Sequence, residues 1–360
     1  MKIGHVAAVA CLTVALSATP AGAATGSRAD TQAALDEIVE GGSVSAVAEV
    51  RNGTEVWRGG SGTVTVHGGG PAPVRGRFRA GSTTKSFIAT VILQLAGEGR
   101  LSLDDEVERL LPGLVEDGGE ITVGRLLQHT SGLADYTTGL FDGDGVPRWR
   151  YRTWSPEELV RRADGLPRGF PPGAGFAYSN TNYVVLGMII EKVTGRPYAT
   201  EIERRILRPL GLRDTLLPGA SPEVPGPHAH AYVAVRRGGR VVPVDVTNFN
   251  PTMAGAAGEL VSTTGDLNRF YGALLGGRLL GPAMLRRMKD PGTTGGYGLG
   301  LEVAPLSCGT AYGHGGGGPG YLVISFTSAD GNRQVTVSTK PYSGDPGPRL
   351  RALLETALCP

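Results

Sequence analysis

Strand-like runs stand at both ends of this chain, and helix-like periodicity fills the stretch between them. Residues 44–50 alternate, Asn52-Gly53 is a two-residue hairpin signal, and residues 55–58 supply the return. Near the other end, residues 321–327 and 333–339 are β-rich and joined through Asp330-Gly331, and residues 350–358 read as an amphipathic helix. In the middle, Ser155-Pro156-Glu157-Glu158 opens a helix with serine at the cap, proline at the first position and glutamate at the third. Residues 181–194 carry apolar Val184, Val185, Leu186, Ile189, Ile190 and Val193, and Gly195 closes that helix. Residues 264–275 and 282–288 add two helices, residues 121–128 a short one, and residues 236–240 a small hairpin. Residues 60–80 are rich in Gly and Pro and read as a connection. The simplest packing is an α/β (α+β) fold. One antiparallel sheet forms from both chain ends, helices flank it, and a mostly helical domain is inserted. The expected boundaries are 24–85 and 285–360 for the α/β domain and 86–284 for the helical domain, with the site in the cleft between them.

At 360 residues and 40% hydrophobic content the chain can bury a sizeable core. A net charge of +2 gives no reason to expect nucleic acid as a partner. The 57 glycines and 25 prolines read as a GC-rich coding bias rather than disorder, because apolar periodicity persists between them. Lys2, the apolar residues 6–16 and Ala21-Gly22-Ala23 have the pattern of a signal peptide over residues 1–23. The expectation is a secreted protein with no stable membrane anchor. Cys11 leaves with that segment, so Cys308 and Cys359 remain as an even pair in an oxidising compartment. A disulfide tying the C-terminal helix to a strand is expected; two free buried thiols are the alternative.

Ser82-Thr83-Thr84-Lys85 precedes the apolar-periodic residues 87–95. Residues three apart share a helix face, so the ammonium stands one turn from the hydroxyl. The free N–H groups at a helix start help a serine there to act as a nucleophile, and a nearby lysine can take its proton. A plain N-cap serine followed by a solvated lysine gives the same tetrapeptide. Two further clusters add chemistry. Tyr178-Ser179-Asn180 offers a phenol and an amide at the entry to the 181–194 helix. His314-Gly315-Gly316-Gly317-Gly318 places a histidine beside backbone that a substrate can approach closely.

Ser82-x-x-Lys85, Tyr178-x-Asn180 and His314-x-Gly316, in this order, resemble the three motifs of the serine penicillin-recognising hydrolases. The Tyr and His versions resemble the branch with class C β-lactamases and secreted Streptomyces-type D-Ala-D-Ala carboxypeptidases. His129-Thr130-Ser131-Gly132-Leu133 and Gly296-Tyr297-Gly298-Leu299-Gly300-Leu301 extend the likeness over nearly all of residues 24–360. The resemblance implies Ser82 as acylated nucleophile, Lys85 and Tyr178 as proton-transfer pair, and His314 lining the site from an edge strand, bonded to the phenol. Which of Lys85 and Tyr178 is the base stays open. It also implies Asn180, Gly316, Gly317 and Phe141 as substrate-binding residues, with the N–H groups of Ser82 and Gly317 as oxyanion hole. His129 reads as structural. No cofactor and no metal are implied, since His228 and His230 lack a partner set.

One departure bears on the substrate. The carboxypeptidases use an arginine after the Tyr-Gly-Leu-Gly-Leu strand and hydroxyl side chains beside the histidine to hold a free carboxylate. Here Glu302 follows Leu301, and Gly315 and Gly317 flank Gly316. Unless Arg286 or Arg287 supplies the charge, the leaving side of the substrate is expected to be neutral, cationic, or an ester or amide. The leading expectation is a secreted, monomeric, D-alanyl-D-alanine carboxypeptidase-like and penicillin-binding hydrolase, acting on a small peptide, ester or β-lactam and on peptidoglycan. The alternatives are a β-lactamase, a D-aminopeptidase, amidase or esterase of the same superfamily, and a non-catalytic penicillin-binding or peptidoglycan-sensing module.

Overall fold

The computed structural model describes residues 28–359, so the leader-like segment 1–23, with Cys11, lies outside the described residues. Strand β1 (Ser43–Asn52) turns at Gly53 into β2 (Glu55–Thr65), and β3 (Gly68–Pro71) follows. Next come β4 (Phe78–Arg79), the separate hairpin β5 (Tyr232–Arg237) and β6 (Arg240–Asp245), and β7 (Val261–Ser262), which pairs with β4. The chain ends with β8 (Glu302–Leu306), β9 (Gly309–Gly318), β10 (Tyr321–Ser328) and β11 (Arg333–Pro341). Seven strands form one antiparallel sheet in the order β3-β2-β1-β11-β10-β9-β8, and the two chain ends meet where β1 pairs with β11.

Helices cover both faces of that sheet, which is why β1 and β11 are buried along nearly their whole length. On one face the helices Arg28–Glu40 and Gly347–Leu358 set Leu35, Ile38, Leu350, Leu353 and Leu358 against Ala46, Ala48, Val335 and Val337. Each such side chain contributes about 1.5–3 kcal/mol on burial. On the other face lies the helix Thr264–Leu275, whose contact with the sheet includes a polar network. Thr336 Oγ1 donates to Asn268 Oδ1 at 2.7 Å, Asn268 Nδ2 donates to the Glu49 carbonyl at 2.8 Å, and Ser325 Oγ lies 2.6 Å from Thr336 Oγ1. The buried Glu49 carboxylate accepts from Arg51 Nε and Arg58 Nε. These pairings offset the desolvation cost of burying Glu49, Asn268, Ser325 and Thr336.

The inserted part is organised around the helix Thr84–Gly97, buried continuously from Thr84 to Leu93. The sequence 87–95 is apolar on all sides, and such a helix belongs inside a core. The helix Asn180–Thr194 packs beside it, and the Phe87 ring stacks on Phe270 with centroids 3.7 Å apart. The Ser155 capping box is present, and Gly195 closes Asn180–Thr194 at φ +71°.

Two features depart from the sequence expectation, and one goes beyond it. The stretch 60–80 is not all connection, since β2 continues to Thr65 and β3 follows. The glycine-rich stretch around His314, which composition alone does not mark as a strand and which only the resemblance placed on one, is the ten-residue β9. The Thr264–Leu275 helix falls in the range expected for the helical domain, yet Asn268 bonds it to the sheet. Glycine disfavours strands by its freedom, so only pairing between β8 and β10 holds such a stretch extended.

Cys308, in the β8–β9 turn, is bonded to Cys359 at the end of the Gly347–Leu358 helix, with a sequence separation of 51. A closed loop of that size removes about 4 kcal/mol of chain entropy from the unfolded state. Cys308→Ser with Cys359→Ser is expected to lower Tm by roughly 5 °C or more. Thermal unfolding of the two forms, with and without reductant, checks it: reductant should move the wild type towards the double variant and leave the variant unchanged.

Candidate active site

Ser82 sits in a 3₁₀ turn, Gly81–Thr83, that leads directly into the Thr84–Gly97 helix. Side chains of the same segment tie this turn down. Thr83 Oγ1 donates to the Ala80 carbonyl at 3.1 Å and Thr84 Oγ1 to the Gly81 carbonyl at 2.7 Å. Short β4 holds the approach, with the Ala80 N–H donating to the Leu260 carbonyl at 2.7 Å. The Ser82 hydroxyl is directed at the Lys85 amine.

Lys85, one turn on, is fully buried. Its Nζ donates to Ser82 Oγ at 3.0 Å, to Asn180 Oδ1 at 2.7 Å and to the Ala257 carbonyl at 2.6 Å. Two of these acceptors have no proton to give, so they take two N–H groups in either charge state. The third direction of the amine points at the serine hydroxyl, where an N–H or a lone pair can stand.

The Tyr178 ring is half-buried and lies 4.9 Å from Lys85 Nζ. It packs on the buried His129 ring, centroids 4.2 Å apart. His129 Nδ1 accepts from the Ser179 N–H at 3.1 Å and lies 3.1 Å from Asn182 Nδ2. Burial first, then Lys85, pushes the imidazole well below its ordinary proton affinity, so it is neutral. Asn180 is fixed from the other side, where its Nδ2 donates to Asp135 Oδ2 at 2.9 Å. Asp135 is a positioning residue that the sequence did not single out. It lies six residues after His129 with no motif around it, and only the fold brings it to Asn180.

Strand β9 closes the site. A Cβ on Gly316 would stand 2.0 Å from the Ala80 carbonyl oxygen, so only glycine lets the strand come this near. Gly81, at φ +54°, is equally constrained, because a Cβ there would lie 3.0 Å from the Gly317 nitrogen. Alternate residues of an antiparallel strand direct their N–H groups to opposite sides. The Gly315 N–H points away from β10, to Glu302, and Gly317, two residues on, points the same way, towards Gly81 and Ser82. The N–H groups of Ser82 and Gly317 thus flank one small space, as an oxyanion hole requires.

His314 corrects two expectations. It stands on the second strand from the edge, since β8 pairs with β9 as far as Gly313, and only from His314 onward is β9 free on that side. Its Nε2 lies 2.8 Å from Tyr297 Oη, so its bonded phenol is Tyr297 rather than Tyr178. Nδ1 faces two acceptors, the Gly315 carbonyl and Glu302 Oε1, so it carries the proton and Nε2 accepts from Tyr297. Burial, then Lys85, lowers the His314 pKa to about 3. Tyr297 stood in a quoted motif without a role; its ring also meets those of His129 and Tyr178.

The structure does not bring Phe141 into this network. It pairs with Pro147 through its backbone and packs half-buried against the helical core. Arg286 and Arg287 lie exposed on the helix Pro282–Lys289, and neither forms an ion pair with Glu302. His230 does have a carboxylate partner, Asp245, at 2.7 Å, although His228 has only the Gly226 carbonyl.

A serine bonded to a buried lysine at the head of a core helix, facing the N–H groups of a glycine strand, is the constellation of a serine hydrolase. The Beta-lactamase family profile matches residues 32–357. Penicillin-binding protein 4* of Bacillus subtilis (strain 168) is 33% identical over 282 residues, 72% of this chain and 60% of that protein. The chain thus spans about 60% of the length of that curated relative. A D-stereospecific amidohydrolase from Streptomyces sp. superposes with a TM-score of 0.83 at 41% identity, covering 91% of this chain and 98% of that one. The D-amino acid amidase of Ochrobactrum anthropi SV3, complexed with L-phenylalanine amide, gives 0.80 at 30% identity, covering 91% and 97%. The chain belongs to the Beta-lactamase family, a superfamily of serine hydrolases with penicillin-binding and amidase members.

Two substitutions probe the geometry. Gly316→Ala is expected to reduce acylation of Ser82 roughly 100-fold or more, because its methyl group displaces the strand that carries Gly317. Asp135→Ala is expected to lower kcat about 10- to 100-fold with little change in Tm, because Asn180 loses its anchor while the core is untouched. Pre-steady-state acylation and thermal unfolding on the same preparations check both.

Proposed function

We propose that the protein is a secreted hydrolase that acylates Ser82 with D-amino-acid amides, peptides or esters. The direct bond from Lys85 Nζ to Ser82 Oγ carries this reading. With two N–H groups held by Asn180 and Ala257, a neutral Lys85 presents its lone pair to the serine hydroxyl and takes its proton. Ser82 Oγ then attacks the substrate carbonyl, and the N–H groups of Ser82 and Gly317 receive the oxyanion. The proton passes to the departing amine or alcohol, with Tyr178 beside Lys85 to carry it. Water attacks the ester by the reverse route, releasing the acid and restoring Ser82 and Lys85. Retention of this whole dyad is unneeded in a pure binding module.

Glu302 favours amides and esters over peptides with a free terminal carboxylate, because a like charge beside the leaving side is unfavourable. The two D-specific amide hydrolases that match over most of the chain support the same preference. A carboxypeptidase-like or β-lactamase activity therefore stands second, resting on the motif resemblance and on the penicillin-binding relative. Secretion is supported by the pattern of residues 1–23 and by the Cys308–Cys359 bond.

Intact-mass analysis after mixing with a penicillin or a D-amino-acid ester should show an adduct on the wild type and none on Ser82→Ala. Neither adduct nor turnover on the wild type would overturn the acyl-enzyme reading. In parallel, a D-Ala-D-Ala peptide amide should be cleaved faster than its free acid; a clear preference for the acid would restore the carboxypeptidase.

A further inference from the structure

Glu302 is a carboxylate that the acyl transfer itself does not use. It opens β8 opposite Gly313, and its Oε1 accepts the Gly315 N–H at 3.1 Å. About 38% of its side chain is exposed. A Cβ on Gly315 would stand 3.5 Å from that Oε1, whereas one on Gly316 would run into Ala80. Gly315 and Glu302 therefore share the face of β9 turned away from Ala80. With glycine at 315 and 317, no side chain of β9 fills the space over that face.

No lysine or arginine among the described residues forms an ion pair with this group. Among the described residues its one ion-pair contact is His314 Nδ1 at 3.3 Å, and that imidazole is neutral near pH 7. The charge of Lys85 favours the ionised form of Glu302, while its Nζ bonds Ser82, Asn180 and Ala257. Burial raises the Glu302 pKa to about 7, outweighing the Gly315 N–H and Lys85, which lower it.

Its position along β9 says which part of a substrate it meets. The scissile carbonyl belongs at the Gly317 N–H, and Gly315 lies two residues back, about 6–7 Å away. That direction leads to His314, whose ring lies 6.4 Å from that of Tyr178. The departing group must approach the proton carriers Lys85 and Tyr178, so it takes this side.

The geometry points to Glu302 as a specificity-determining residue that binds a cationic group, a primary ammonium or guanidinium, on the leaving side of the substrate. The preferred substrates are D-amino-acid amides or peptides whose departing amine carries a second positive charge. This rests on the hydrolase reading above and adds the charge of the leaving group to it.

Three amides of one D-amino acid test it, made with 1,2-diaminoethane, propylamine and β-alanine to give cationic, neutral and anionic leaving groups. The wild type should rank them in that order by kcat/KM, with cation over anion by roughly 30- to 100-fold. Glu302→Gln should bring the three within about threefold, and Glu302→Arg should reverse the order. Each value is a ratio on one preparation, so a partly misfolded variant still reports the preference. Wild-type turnover without charge preference, or a preference that survives in Glu302→Gln, overturns the assignment alone. No turnover of any amide and no covalent adduct on Ser82 overturns the hydrolase reading, and this inference with it.

Discussion

The site is held together by the accommodation of one amine. Lys85 is fully buried, and an unsatisfied amine or ammonium in that position costs several kcal/mol. Its three acceptors come from three separate segments: the nucleophile turn, the start of the Asn180–Thr194 helix, and the 3₁₀ turn Gly255–Ala257. Satisfying the lysine therefore fixes how those segments meet. Asp135 extends the constraint to a fourth segment by orienting Asn180, so that its oxygen and not its amide group faces the amine. Burial and reactivity have one origin, since the socket that satisfies two N–H groups leaves the third direction at Ser82.

The sheet supplies the second half of the site through backbone alone. Side chains would keep β9 several ångströms from the nucleophile turn, and glycine at 316 removes that barrier. The same run would be a poor strand in isolation. It stays extended because β10 pairs along it and β8 supports its first half. The N–H alternation of the ladder then directs Gly315 to Glu302 and Gly317 to the serine. A conformational liability in the local sequence is thus the condition for close approach in the folded protein.

Local signals were readable in the sequence where the physics is local. The Ser155 capping box, the Gly195 cap and the hairpin turn at Asn52-Gly53 depend on neighbours within a few residues, and the structure contains each. The Ser82–Lys85 spacing is local too, and helical geometry delivers the bond between them. β3 was read as part of a connection, and β9 carries no strand signal of its own, because glycine weakens strand propensity; pairing with the adjoining strands β2, β8 and β10 overcomes it. The Arg28–Glu40 helix was not singled out in the sequence, and Leu35 and Ile38 are buried by packing on the sheet and on the Gly347–Leu358 helix. The bond from Tyr297 to His314 and that from Asp135 to Asn180 span chain distances that no periodicity encodes.

By itself the sequence named the candidate reactive groups and the order in which the chain presents them. Ser82, Lys85, Tyr178, Asn180 and His314 were named from motifs, because chemistry at this kind of centre depends on residue type. The tertiary structure decided who touches whom. It gave Lys85 its three acceptors, exchanged Tyr178 for Tyr297 as the partner of His314, and left Phe141 outside the network. Among the described residues it also gave Glu302 only the neutral His314 as an ion-pair contact. The proposed substrate preference rests on that last fact, and charge balance in a cleft is a property of all the segments that line it.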